Sequence, residues 1–210
     1  MRVAVANLKG GTAKTVTSYF LATALSRRGR TLLVDCDPQG SALSWAGSAE
    51  DGGRVPFEVV GLPVKDVHRR VKGLAGDFEH VVLDTPPGVM PQEVSITRAA
   101  LLAAETAIVA VPPTEIDLDR VMATLELVAE VEPLNDLTFR VLLTRVQGTA
   151  RDGRDARAEM EGMKLPVMRA EIPARVGYSR AFGEPVEDLG AYELVASELL
   201  GELASEEVTS

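Results

Sequence analysis

Apolar residues in this chain come in short runs of Val, Leu, Ile and Ala, separated by longer stretches with helical spacing. The runs Val3–Ala6, Thr31–Cys36, Phe57–Val60, Glu79–Leu83, Thr106–Val111 and Phe139–Thr144 read as strands, and Pro166–Ile172 as one more. They do not alternate with polar residues, as expected for parallel strands covered on both faces. Helices are predicted between them. One runs from Thr15 to Arg28, with Arg27 and Arg28 suiting its C-terminal dipole and Gly29 supplying a left-handed cap. A short helix holds Trp45, followed by a Gly-rich turn from Glu50 to Pro56. Val64, Val67, Val71 and Leu74 mark a third helix that Gly76 ends, and Pro91–Ala103 a fourth. Leu118, Val121, Met122, Leu125, Val128 and Ala129 share one face of the next, with Pro133 just beyond its end. Arg151–Met163 is a polar helix, and Tyr192, Val195, Ala196, Leu199 and Leu203 line a closing one.

Strand and helix alternate without repeat or long linker. This predicts one domain over residues 1–210, a doubly wound α/β fold with a mostly parallel sheet, helices on both faces and a short polar tail from about 205. Ligands of such sheets bind beyond the carboxyl ends of the strands. That edge collects the 7–15 loop, Asp35–Gly40, Asp84–Gly88, Pro112–Pro113 and Thr144–Arg145.

Composition narrows the class. Aromatics are 4%, so the core is aliphatic, and charged residues are an ordinary 25%. A lone cysteine, Cys36, makes no internal disulfide, and no apolar run is long enough to span a membrane, so a cytoplasmic protein is expected. The first strand begins at once, with no room for a signal peptide. A net charge of −9 repels nucleic acid on average, so any DNA contact needs a local basic patch. His68 and His80 lack partners at metal-ligand spacing, which argues against zinc.

The chemistry sits at the first strand–helix junction, Asn7-Leu8-Lys9-Gly10-Gly11-Thr12-Ala13-Lys14-Thr15. Glycines let backbone N–H groups approach phosphate oxygens, and the helix dipole that follows favours the anion. Lys14 is placed for the β- and γ-phosphates of ATP and Thr15 for Mg²⁺. Asp84 ends a hydrophobic strand, where a carboxylate completes the metal shell. The spacing K-G-G-x-x-K-T, with the extra Lys9, resembles the deviant Walker A box of the ParA/MinD family of P-loop ATPases. The family usually carries glycine where Ala13 stands, and alanine is strained if that backbone takes positive φ.

The resemblance extends along most of the chain. Val34-Asp35-Cys36-Asp37-Pro38-Gln39-Gly40 is similar to the family's D-x-D-P-Q box. It implies that Asp37 positions the attacking water and touches the metal shell, while Asp35 supports the P-loop or that shell. Val111-Pro112-Pro113-Thr114, Ile172-Pro173-Ala174-Arg175 and Ala181-Phe182-Gly183-Glu184-Pro185-Val186 resemble later family elements. The nucleotide is then expected against Lys9, Gly10, Gly11, Thr12, Ala13, Lys14, Thr15 and Val16, with Thr144, Arg145, Ile172 and Pro173 near its base. Lys9 is expected to reach the partner's nucleotide across an ATP-dependent homodimer, as a finger supplied in trans.

The family member most resembled is a short ParA-type partition ATPase without a separate operator-binding domain. That implies nonspecific DNA binding on the nucleoid, a small centromere-binding ParB-type adaptor, and weak hydrolysis stimulated by it. The alternatives are a ParA-like positioner of a non-DNA cargo and a metabolic synthetase resembling dethiobiotin synthetase. A membrane-binding relative would need a basic amphipathic end, but residues 198–210 hold four glutamates and no Lys or Arg. The arginines offered for DNA are Arg145, Arg151, Arg154 and Arg157, and a second group of Arg169, Arg175 and Arg180.

Overall fold

A computed structural model of the chain describes residues 1–52, 55–113, 118–147 and 151–202. Six strands form one sheet: β1 (Arg2–Ala6), β2 (Thr31–Asp35), β3 (Glu58–Gly61), β4 (His80–Asp84), β5 (Thr106–Val111) and β6 (Thr138–Leu143). Their order is β3-β2-β4-β1-β5-β6 and every pairing is parallel. Among the described residues, eight α-helices connect and cover the strands: α1 (Lys14–Ser26), α2 (Ser41–Gly52), α3 (Val67–Leu74), α4 (Pro91–Ala103), α5 (Leu118–Asn135), α6 (Arg151–Gly162), α7 (Val176–Arg180) and α8 (Ala191–Leu199). This is the doubly wound α/β architecture read from the pattern.

The pleat sends alternate residues to opposite layers. Ala4, Val34, Leu83, Val109 and Val141 face one core, against α3, α4, α5 and α6. Val3, Val5, Leu33, Val82, Ile108 and Leu142 face the other, against α1, α2, α7 and α8. The few aromatics gather in the second layer. Tyr19 stacks on Trp45 with centroids 4.1 Å apart, and Phe20 packs edge-on to Tyr178 at 5.1 Å.

Several expectations need correction. Pro166–Ile172 is not a strand: it makes only isolated bridges, Val141 to Val167 and Val146 to Pro173. Proline bounds it at both ends and cannot donate to a ladder, and the Arg169 and Ala170 N–H groups turn to the Glu198 carboxylate instead. Helix α2 continues to Gly52, into the expected turn, because Ala42, Trp45, Ala46 and Ala49 bury a continuous helical face. Pro133 lies inside the last turn of α5, where its missing N–H costs one bond, at exposed Ala129. On that helix Met122 and Ala129 are exposed, while Thr124, Leu127 and Val131 join the buried face. Gly29 does not take positive φ. It is small because the Glu79 carboxylate, which accepts the Arg30 N–H, would lie 2.8 Å from a Cβ there. The closing helix stops at Leu199, and Leu203 and the polar tail lie outside the described residues. No helix among the described residues is long and apolar enough to cross a membrane.

The entry to α1 carries a local conflict. Its N-cap, Ala13, sits in the left-handed region at φ 67° and ψ 25°, a conformation costing an L-residue roughly 1–2 kcal/mol. Ala13 keeps it because its carbonyl accepts the first helical bond from Thr17, at 2.9 Å. Replacing Ala13 with glycine removes the strain but adds about 0.5–1 kcal/mol of unfolded-chain entropy. The expected net effect of Ala13→Gly is a stabilisation of about 1 kcal/mol, or roughly 2–4 °C in Tm. Thermal unfolding without nucleotide measures it, and an unchanged or lowered Tm would show the strain is absorbed elsewhere.

Candidate functional site

The loop between β1 and α1 is held by groups from four other segments. Asn7 is buried, its amide donating to the Ala110 carbonyl at 2.8 Å while its Oδ1 accepts the Lys9 N–H at 2.8 Å. Leu8 donates its N–H to Thr124 Oγ1 at 3.0 Å, and its carbonyl accepts from Gly88 at 2.9 Å. The Thr144 hydroxyl, fully buried, donates to the Thr12 carbonyl at 3.1 Å, and Arg145 donates to the Gly11 carbonyl at 3.1 Å. Gly10 and Gly11 stay exposed at the mouth. Gly11, at φ 76°, and Ala13 bracket Thr12, a geometry that turns successive N–H groups toward one point.

Lys14 is buried under this arch, and its ammonium donates to the Lys9 carbonyl at 3.0 Å. Burial pulls its pKa down, against the raising effect of Asp84, Asp37 and Glu93. Asp84 has no solvent exposure at all. Burial pushes its carboxyl up to about 7 and Asp35 adds to the rise, opposed by the Thr15 and Ser18 hydroxyls and by Lys14. Ser18 donates to Asp84 Oδ1 at 2.9 Å, while Oδ2 is buried with no hydrogen-bond partner among the described residues.

Asp35 and Asp84 are register partners on β2 and β4. Asp35 is buried, and its oxygens accept the Asp37 N–H at 3.0 Å and the Leu43 N–H at 2.9 Å. It thus braces its own loop and the start of α2 rather than the P-loop. Asp37 is nearly buried and accepts the Gln39 N–H at 2.9 Å. The Cys36 N–H donates to the Asp84 carbonyl at 2.9 Å, joining the two acidic loops, and burial raises its thiol pKa.

These residues fit a nucleotide with a divalent cation. Three carboxylates, Asp35, Asp37 and Asp84, lie in a buried neighbourhood with one ammonium, Lys14, leaving excess negative charge. An orphaned buried carboxylate oxygen beside a threonine hydroxyl is the donor set that hard cations take. Next to the loop opens a cavity of about 420 Å³. Gly11, Ala13 and Val16 form one side, and Arg145, Ile172, Pro173 and Arg175 another. Tyr178 and Tyr192 complete the lining. Of the residues outside the loop expected near the nucleotide, Arg145, Ile172 and Pro173 line this cavity, whereas Thr144 is buried behind the loop on the Thr12 carbonyl.

Other residues had not been marked by the sequence. Asn7 carries a local signal, an Asx-type turn onto Lys9, and Ser18 lies one helical turn beyond Thr15. Thr124, Tyr178 and Tyr192 come from distant elements with no local signature. Gly190 is bound to this wall too, since a Cβ there would collide with the Tyr178 hydroxyl. Arg175 is placed in the cavity wall and Arg157 is paired with Glu171 and Glu161. Thr114, the end of the V-x-P-[ST] match, lies outside the described residues.

Residues 3–186 match the family model of the CobQ/CobB/MinD/ParA nucleotide binding domain. The chain is 29% identical to Maintenance of carboxysome distribution protein A of Halothiobacillus neapolitanus, over 99% of this chain and 96% of that protein. It is 34% identical to the chromosome-partitioning ATPase Soj of Thermus thermophilus, over 78% of this chain and 75% of Soj. Among solved structures, cobyrinic acid a,c-diamide synthase from Mycobacterium smegmatis, with a bound ATP analogue and magnesium, superposes with a TM-score of 0.77 at 25% identity, covering 97% of this chain and 95% of that one. With the family model spanning most of its length and the phosphate loop at its head, the chain belongs to the CobQ/CobB/MinD/ParA family of P-loop ATPases, working on ATP with Mg²⁺.

Proposed function

We propose that this chain is an ATP-switched positioning ATPase. It closes into a homodimer on ATP, holds nonspecific DNA of the nucleoid in that state, and leaves it when a small adaptor stimulates hydrolysis. The observation that carries this reading is Lys9, whose backbone is fixed on both sides, by Asn7 and by the Lys14 ammonium, at the entrance of the loop. A lysine held there serves charge stabilisation across a dimer better than it serves its own nucleotide, which Lys14 already reaches. The cargo read from the likeness to the carboxysome-distribution protein is a large protein assembly. Partition of a plasmid or chromosome through a ParB-type adaptor is the second reading, favoured by the likeness to Soj. A metabolic synthetase, in line with the third likeness, would not need Lys9.

The role of each residue follows from its chemistry. The N–H groups of Gly10 to Lys14 and the start of α1 bind the phosphates. The Lys14 ammonium would exchange its Lys9 carbonyl for phosphate oxygen, while the Lys9 N–H keeps its bond to Asn7. Thr15 and Asp84 would hold Mg²⁺, which when bound neutralises charge on the transferring phosphoryl group. Asp37 orients water. The apolar wall of Val16, Ile172 and Pro173, with Arg145 and Thr144 behind the loop, takes the nucleoside.

Lys9→Ala tests the reading. It is expected to bind ATP, to lose ATP-dependent dimerisation and to turn over roughly 10²-fold more slowly or worse. Light scattering after gel filtration and phosphate release measure the two effects. A fully active Lys9→Ala monomer would sink the dimer reading. Lys14→Ala is expected to abolish ATP binding, whereas Asp37→Ala binds ATP and loses hydrolysis; equal loss of binding in both would remove the role given to Asp37.

Asp84 yields a pH prediction. Its folded carboxyl titrates near 7, above the ordinary aspartate value, so the folded state holds the proton more tightly than the unfolded chain does. Stability without Mg²⁺ or nucleotide therefore falls as pH rises from about 4 through about 7. Asp84→Asn removes that loss, so its Tm relative to the parent protein should climb between pH 5 and pH 8. Parallel Tm curves for the two proteins would show that Asp84 is not the titrating group.

A further inference from the structure

The DNA held in the proposed function needs a basic surface on a chain whose net charge is −9. Many arginines are already committed. Arg2, Arg28, Arg30, Arg98 and Arg157 each meet a carboxylate, and Arg175 lines the nucleotide cavity. The segment leading into and through α3 differs. Residues 65–72 contain Lys65, Arg69, Arg70 and Lys72 against a single acid, Asp66. Asp66 pairs with Arg70 at 3.2 Å. Lys65, Arg69 and Lys72 are exposed and form no ion pair among the described residues.

Arg69 and Lys72, at i and i+3, share the outward face of α3, and Lys65 lies in the turn just before it. Val67 and Val71 bury the opposite face against the sheet and α4. A row of exposed cations is complementary to the row of phosphates along a duplex backbone. Helix α3 also packs on the sheet face opposite α1, so the ridge is separate from the phosphate loop.

We infer that the ridge of Lys65, Arg69 and Lys72, on α3 and the turn before it, is the surface that contacts the phosphate backbone of duplex DNA. This rests on the proposed function, because the DNA-holding state is taken from it. The contact is independent of sequence, since the ridge meets phosphates and no base edge. Dimer closure brings two ridges to one duplex, which makes binding depend on ATP through avidity.

The experiment uses fluorescence anisotropy of a labelled 30-base-pair duplex of random sequence, with the full chain in ATP, ADP and no nucleotide, across a salt series. The variants are Lys65→Glu/Arg69→Glu/Lys72→Glu and the neutral Lys65→Gln/Arg69→Gln/Lys72→Gln. Thermal unfolding and binding of a fluorescent ATP analogue report that fold and nucleotide site are retained. The expected result is that the neutral variant lowers the salt slope by roughly three per bound subunit, the reversed variant binds no DNA, and both keep ATP binding and ATP-dependent dimerisation. If the parent protein binds DNA and the reversed variant binds it equally well, the ridge is not the contact while the proposed function stands. If the parent protein binds no DNA in any nucleotide state, the proposed function itself fails. If a polyglutamate peptide binds the parent protein in an α3-dependent manner and DNA does not, the ridge is a docking site for an acidic protein and the inference is overturned.

Discussion

A lysine ammonium and an aspartate, both buried at one edge of a parallel sheet, set the terms for everything around them. Lys14 and Asp84 are both buried, Asp84 completely, and each is pushed by burial toward its neutral form. Such a pair in a dry place is costly unless every remaining polar atom finds a partner. The surrounding contacts answer that demand in part: Ser18 and Thr15 serve Asp84, and the Lys9 carbonyl serves Lys14. The unanswered part is Asp84 Oδ2. A fold that buries a carboxylate oxygen without a partner is less stable than it could be, and the deficit lies where a cation on a phosphate would remove it. Binding of ATP and Mg²⁺ at this edge would recover the stability lost in building the site.

The same logic explains why so many distant residues converge on nine loop residues. A glycine-containing loop has little to hold it in shape by itself. Asn7, Thr124, Thr144 and Gly88 fix its carbonyls and amides from β1, α5, the end of β6 and the loop after β4. Leu8 is gripped from two sides, and a Cβ at Gly88 would overlap the Leu8 side chain. The loop after Asp84 is thus packed and hydrogen-bonded directly against the residue next to Lys9.

What could be read from the sequence, and what could not, follows from the range of each interaction. The strands were legible because a parallel sheet buries both faces, so each reads as an unbroken apolar run. Pro166–Ile172 was misread by that same signal: Val167, Met168 and Ile172 are apolar because they pack into the two cores, and the segment bonds to β6 only at its ends while Arg169 and Ala170 turn to Glu198. Lys9, Lys14 and Thr15 stood out because they share one strand–helix loop, and Asp84 because it ends an apolar strand. Ser18, Thr124 and Tyr178 were not, because a hydroxyl on a helix has no signature until the tertiary fold shows what faces it. The left-handed backbone at Ala13 was the one strained position that the missing glycine could announce in advance.

Arg175 shows why residue type alone misassigns charge. In a list of arginines it stands beside Arg180 and Arg169 as a candidate for DNA. In the fold it borders the cavity shared by Arg145, Tyr178 and Gly190. A positive charge there lies within a few residues of the phosphate loop, where an ATP with charge to be balanced is the nearer anion. Charges at the sheet's carboxyl edge are drawn into the nucleotide site by the same geometry that makes the edge a site. Cations meant for a larger polyanion must then lie away from that edge, on a helix whose inner face is fully occupied by packing. Helix α3 and the turn before it, with Val67 and Val71 inward and Lys65, Arg69 and Lys72 exposed, meet that requirement on an otherwise acidic molecule.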